Sequence, residues 1–547
     1  MKKQIYGLTA VLAAAGTILA GCGSSSSAGA AGNNGSASTP SSASNAKQQV
    51  TMDILTEPPT LDPSKANDTT SGWVMDQILE GLTYLGPKDQ IEPGIAKSWY
   101  TSDGGKVFTF HLRDAKWTNG DPVTAQDFVY SILHTLNPST GAQFASYLYY
   151  IDGAEAYNTG KGPASAVGVK AIDDHTLQFT LANPTPFFLN LTSFWPYFPV
   201  DQKVAKADPT WTANASTYVS DGPFKLSSWN HQQDMVLTKN PDYWNAGSIK
   251  LNQVTLDMVN DTDTQYQMYQ SGQLDMDTSL PQDIIPNLIK SNKAQVFPFA
   301  GTQFIDLNTK AAPFNNADIR EAFALSIDRE QIVNDVLQGG QAPAYGMVPP
   351  GIPGQNGTFR QEGGNLFQEN VAKAKQLLAE GMKQEGITKL PPITFIYDSG
   401  TSQQNLAEAL QQMWSKNLGV QVNLQTEEWK VYLDALSKGN YQMARLGWIN
   451  VYMDPTAALQ LLTSNFGSNF TGWKDPQYDQ LVNDATTTND VAKRMSELHQ
   501  AEQILMQQMP IIPINFYTNV FAFNPKLAGI VVHVNSEFPD MRYMYVQ

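Results

Sequence analysis

The 547-residue chain contains one cysteine, Cys22. A single thiol excludes an intrachain disulfide and any Cys-rich metal site. Charge is scarce as well: Asp, Glu, Lys and Arg make up 16% of the residues, and 35 basic side chains face 51 acidic ones. The resulting net charge of −16 excludes nucleic acid as a partner, because phosphate binding needs clustered Lys and Arg. It favours solubility outside the cell. The six histidines (His111, His134, His175, His231, His499 and His533) all stand more than four residues apart. That spacing rules out a local zinc-binding pair, and each is expected to be a surface or satisfied structural residue. No G-x-S-x-G elbow and no P-loop occurs. Adjacent acids such as Asp173-Asp174 and Glu427-Glu428 read as solvated turns or faces and support no acid–base chemistry. The expectation is a protein that is not an enzyme, with no catalytic residue, no metal and no cofactor.

Long apolar runs are also few. Ile5 to Leu19 is mostly apolar, follows Lys2 and Lys3, and ends in Leu19-Ala20-Gly21-Cys22. The run is shorter than the roughly 20 residues that span a bilayer, so it reads as an export signal. Small residues before a lone cysteine resemble a bacterial lipobox, in which the cysteine becomes the new N-terminus and is acylated. Residues 1–21 are therefore expected to be a lipoprotein signal peptide, with Cys22 as the lipidation site. Its removal takes two lysines and no acid, so the net charge moves from −16 to −18. Residues 23–46 contain only Gly, Ser, Ala, Asn, Thr and Pro. Such a segment cannot bury enough surface to offset its ordering entropy, which makes residues 22–46 a flexible tether. Later in the chain no apolar run is long enough to cross a membrane, so the expected protein is held at the cell membrane by lipid alone, on its extracytoplasmic face.

The remaining chain, about 500 residues, is long for one core and predicts two or three lobes. Strand-like and helix-like patterns alternate through it. Val50 to Leu55 and Val107 to Leu112 read as strands, Thr124 as the cap of a helix, and Val167 to Lys170 with Thr176 to Leu181 as a hairpin. Apolar spacing predicts a helix over Asp318 to Leu337, and others over Asn370 to Glu380 and Gln403 to Lys416. Strands Ile393 to Tyr397 and Val420 to Gln425 bracket the last, a βαβ pattern that implies parallel pairing. Trp73, Trp117, Trp195, Trp429 and Trp448 exceed what a tight core needs, and aromatics also line ligand clefts.

Residues 94–128, GIAKSWYTSDGGKVFTFHLRDAKWTNGDPVTAQDF, resemble the signature of the oligopeptide-binding proteins of ABC importers. Further stretches continue the likeness in order. Among them are Gln143-Phe144-Ala145-Ser146-Tyr147-Leu148, Asp221-Gly222-Pro223-Phe224-Lys225-Leu226, Glu428-Trp429-Lys430 and Ala444-Arg445-Leu446-Gly447-Trp448. The resemblance implies an α/β, three-lobed periplasmic-binding-protein-like fold (class II, cluster C) with a ligand cleft between its two main lobes. Lobe I would comprise 47–79, 202–302 and 519–547, lobe II 80–201, and lobe III 303–518. The implied function is capture of oligopeptides, by hinge closure, for the permease subunits of an ABC importer, by a monomer.

The same resemblance implies the site. After Leu61-Asp62-Pro63, the loop with Asn67, Asp68 and Thr69 would pair with the ligand main chain, as would Gly447, Trp448 and Ile449. Trp448 and Trp429 match pocket-lining positions. Phe144 replaces a tyrosine of relatives, and Gln403 stands near a carboxylate-pairing histidine. Arg445 matches an arginine suited to a peptide carboxylate, and Tyr517 is a further cleft candidate whose other reading is core packing. One departure stands out: relatives hold the ligand ammonium with an aspartate at the position of Val451. Asp68 and Asp454 are the nearest acids that could substitute. Otherwise the amine stays hydrated, or the ligand is amine-blocked or not a peptide, such as an oligosaccharide.

Overall fold

The computed structural model describes residues 47–399 and 401–547. The expected signal peptide, Cys22 and the tether lie outside the described residues.

An eleven-stranded sheet organises the chain. One end is built from Val422–Glu427, Ile393–Asp398 and Met443–Ile449, and the other from Gln49–Asp53, Gln253–Asp257, Asp234–Lys239 and Phe224–Asn230. Two thirteen-residue strands, Gln295–Leu307 and Ile511–Phe523, run antiparallel through the middle and join the ends. Their register is continuous from Gln295↔Phe521 to Pro298↔Thr518, then resumes at Thr302↔Phe516. Four steps along one strand therefore match two along the other. Pro298 has no N–H to continue the ladder, so the break falls where the sequence removes a donor.

Two large apolar cores flank this break. One gathers Val50, Met52, Val254 and Leu256 together with Phe110, Phe128, Phe179 and Phe188. The latter belong to a separate antiparallel sheet, Ala96–Ser102, Val107–Leu112, Thr176–Thr180 and Val169–Asp173, to the helix Ala125–Leu136 that packs on it, and, for Phe188, to the short helix Phe188–Leu191. That helix starts as its sequence predicts: Thr124 caps it, and its N–H donates to Asp127 Oδ2 at 2.9 Å in a capping box. The other core collects Phe304, Phe323, Phe395, Trp414, Leu498 and Ile512. Within it, Ile393–Asp398, the helix Thr401–Leu418 and Val422–Glu427 form the expected βαβ unit, with the strands parallel from Ile393↔Val422.

The predicted continuous helix over Asp318 to Leu337 is broken. Ala317–Leu325 ends at Ser326, and a second helix starts at Arg329–Gln331 and widens into a π-type turn over Ile332–Leu337. Asp328 causes the restart, since its side chain accepts from Gln331 N–H at 2.8 Å and competes with helix continuation. Fully buried Arg329 then donates to Ala324 O (3.1 Å) and Ile327 O (3.2 Å), satisfying carbonyls that the break leaves free, and to Pro513 O (2.8 Å) of the neighbouring strand. The apolar periodicity was blind to both side chains. Among the described residues no helix is long and apolar enough to cross a membrane.

Candidate ligand cleft

The helix Thr69–Ile78 supplies one wall of a cavity. Asp68 starts it, accepting from Ser71 N–H at 2.8 Å. Helical spacing then places Thr69, Trp73, Asp76 and Gln77 on one stripe, Glu80 follows just past the helix end, and all five face the cavity. Along it Thr69 is exposed, Trp73 and Gln77 are buried and Asp76 is half-buried, and Glu80 beyond the helix is buried. Trp73 is fixed by donating to Pro539 O at 3.0 Å and by packing on Phe538 at 5.2 Å. Gly72 lies beside Trp195, and a Cβ there would come within 2.2 Å of the indole, so only glycine admits this approach. Trp195 in turn donates to Ala66 O at 3.1 Å.

Four other segments close the cavity, one of them carrying Phe194, Trp195 and Phe198. Tyr84 and Leu85 come from the short strand Thr83–Leu85, Ile449 and Val451 to Met453 from the end of a central strand, and His533 to Arg542 from the C-terminal segment. The C-terminal segment carries an ion-pair network. Arg542 binds buried Glu80 (Nη2–Oε2 3.1 Å) and lies 4.1 Å over the Tyr84 ring. His533 Nδ1 meets Asp89 Oδ1 at 2.8 Å, and its Nε2 meets Asp540 Oδ2 at 3.2 Å. Burial opposes the His533 charge, but these two carboxylates raise its pKa to about 9. Asp540 is likewise opposed by burial, yet the His533 hydrogen bond and the Arg542 charge hold it below the usual carboxylate range. Asp76 differs: burial and the nearby Asp540 and Glu80 charges outweigh His533 and Arg542 and push it up to about 8.

Of the residues singled out by sequence, Thr69, Ile449 and Val451 meet on the cavity wall. Phe144 packs against it through Phe194 (5.8 Å) and Trp195 (5.9 Å). Asn67 donates to Gln143 in the neighbouring 3-10 turn. Arg445 is no surface ion pair. It is half-buried, bridging Asp398 at 3.1 Å and the Tyr517 hydroxyl at 3.1 Å. Gly447 does not lie in a turn but within Met443–Ile449, where a Cβ would fall 2.2 Å from Tyr517 Oη. The missing side chain makes room for Tyr517. Trp448 donates to Ala457 O at 2.6 Å and packs edge-on to Phe466, Trp429 is exposed beside Tyr432, and Gln403 is half-buried on its helix. Both candidate substitute acids are already committed: Asp68 caps its helix, and Asp454 is bound by Arg494 (2.5 Å) and the Thr456 hydroxyl (2.6 Å).

Asp76, Glu80, Tyr84 and the C-terminal set escaped sequence reasoning. The only available signal was the helical stripe beginning at Thr69. Nothing local links residue 540 to residue 80.

Residues 90–470 match the family described as bacterial extracellular solute-binding proteins, family 5 middle. The chain belongs to that family. It is 41% identical over 500 residues to the oligopeptide-binding protein OppA of Bacillus subtilis, covering 89% of this chain and 91% of that one. Among solved structures it resembles the murein tripeptide-binding protein MppA of Escherichia coli (33% identical, TM-score 0.75, 91% and 98% of the two chains). It also resembles OppA of Haemophilus influenzae in complex with the peptide RPPGFSPFR (31% identical, TM-score 0.75, 91% and 99%). The family member therefore has the expected α/β, class II periplasmic-binding-protein fold and the role of a solute-binding protein outside the cytoplasm.

Proposed function

We propose that this chain captures oligopeptides in the cleft and hands them to the permease of an ABC importer. The observation that carries this reading is the deep aromatic-walled cavity. It is closed by the helix beginning at Thr69 on one side and the strand end at Ile449–Met453 on the other, in a chain 41% identical to an oligopeptide-binding protein. Extended ligands present main-chain groups to such strand and loop edges, while apolar walls hold side chains. In this reading Asn67, Asp68, Thr69, Gly447, Trp448 and Ile449 form the main-chain edges. Phe144, Gln403, Trp429, Arg445, Val451 and Tyr517 border the pockets. The lobes are 47–79 with 202–302 and 519–547, then 80–201, then 303–518. The register break between Pro298 and Thr302 supports a hinge, because an interrupted ladder bends more easily than a continuous one. The protein acts as a monomer without catalytic chemistry, anchored through acylated Cys22.

A second reading keeps the fold and transport role but gives the cleft an amine-blocked or non-peptide ligand, such as an oligosaccharide. The apolar Val451 on the wall favours it. A thermal-shift screen of the purified protein against tri- to hexapeptides and against oligosaccharides separates the two. Peptides alone should raise the melting temperature by several degrees. Stabilisation by oligosaccharides alone would overturn the peptide reading.

A further inference from the structure

The cavity wall carries four carboxylates, and three are spoken for. Glu80 is held by Arg542 at 3.1 Å, Asp540 by His533 at 3.2 Å, and Glu537 accepts from the Thr69 hydroxyl at 2.6 Å. Asp76 makes no hydrogen bond or ion pair among the described residues, although its half-buried carboxyl faces the same space. An acid in such a place is costly unless a cation completes it. The strand-end wall offers none, since Val451 and Met453 are apolar there, and the two nearby cations, His533 and Arg542, are already bound to Asp89, Asp540 and Glu80.

We propose that Asp76 is the counter-ion for an ammonium group of the bound ligand. The inference rests on the peptide reading of the cleft and specifies what the cleft selects. Seven residues separate Asp76 from exposed Thr69 on the same helical stripe, which places it about 10 Å deeper along the helix axis. That depth is about three extended residues. A ligand whose first residues pass Thr69 thus delivers its α-ammonium, or the ammonium of an N-terminal lysine side chain, to Asp76. Trp73, Tyr84 and Trp195 wall the approach, and aromatic faces attract the same charge.

The charges around Asp76 fit this role. Glu80 on its own segment and Asp540 opposite disfavour its ionisation, while His533 and Arg542 of the C-terminal segment only partly offset them. Glu537 and Tyr84 border the same space. Burial and the neighbouring Asp540 and Glu80 raise its pKa to about 8, which favours the protonated carboxyl in the empty protein. An arriving ammonium favours the carboxylate, so that proton leaves to solvent as the ion pair forms.

The test is competitive equilibrium dialysis of wild type and Asp76→Asn against one tetrapeptide library prepared in three forms. These are free-amine, N-acetylated without lysine, and N-acetylated with lysine first. Calorimetry in two buffers of different ionisation enthalpy counts protons. Wild type should prefer ammonium-bearing forms at least tenfold and release up to one proton per ligand at pH 7. Asp76→Asn should bind all three forms alike and release none, and Asp76→Glu should keep the preference. Enrichment of the free-amine form alone assigns the site to the terminus, whereas equal enrichment of the lysine form assigns it to any ammonium. A wild type that binds acetylated and free peptides equally, or a preference that survives in Asp76→Asn, overturns the proposal while leaving the peptide reading intact. A wild type that binds no peptide overturns both. A wild type without the preference overturns the proposal even where the asparagine variant folds poorly.

Discussion

At the scale of single residues, the side chains that matter most at the cleft are those whose partners lie far away in the chain. His533 joins Asp89 and Asp540, and the sequence offered no sign of either contact beyond the bare presence of a histidine. Its folded pKa, about 9, lies above the ordinary 6.5. The stabilisation is therefore complete below pH 6.5 and lost as pH rises through 9. The shift corresponds to about 3 kcal/mol at most. Melting temperatures of wild type and His533→Gln should differ most near pH 6 and converge above pH 10. A gap that stays constant across that range would contradict the assignment. Arg445, Gly447 and Tyr517 show the converse case. Sequence singled out each of them as a cleft candidate, but not the way they are arranged. The glycine makes space for the phenol ring, and the hydroxyl receives the guanidinium.

At the scale of elements, capping chemistry and apolar period predicted most of what formed. Thr124 caps its helix as expected, the helix expected from Asn370 to Glu380 runs Val371–Gln384 with Asn370 as its cap, and the period-two run Val107–Leu112 is a strand with those limits. The helix over Asp318 to Leu337 failed because its period continues through Asp328, whose local hydrogen bond interrupts it. Asp68 illustrates how a residue assigned to ligand contact also has a plainer duty, ending the free N–H groups of the wall helix. Asp68→Ala should destabilise the protein by about 1 kcal/mol in urea unfolding. An unchanged midpoint would mean that water caps the helix equally well.

At the scale of the whole molecule, the cleft is a product of topology. A sheet that passes between two cores on two long strands leaves space beside the crossing, and chain segments near residues 70, 84, 450 and 535 converge there. The family signature made the architecture legible from sequence, because its motifs recur in order along the chain. The cavity floor was not legible, since it is assembled from residues more than 400 positions apart, such as Glu80 and Arg542. Peptide capture is the central claim, and native mass spectrometry of the protein as purified, followed by denaturing release, tests it most directly. The account predicts a heterogeneous set of short peptides with free amino groups, whereas release of a single non-peptide species would contradict it.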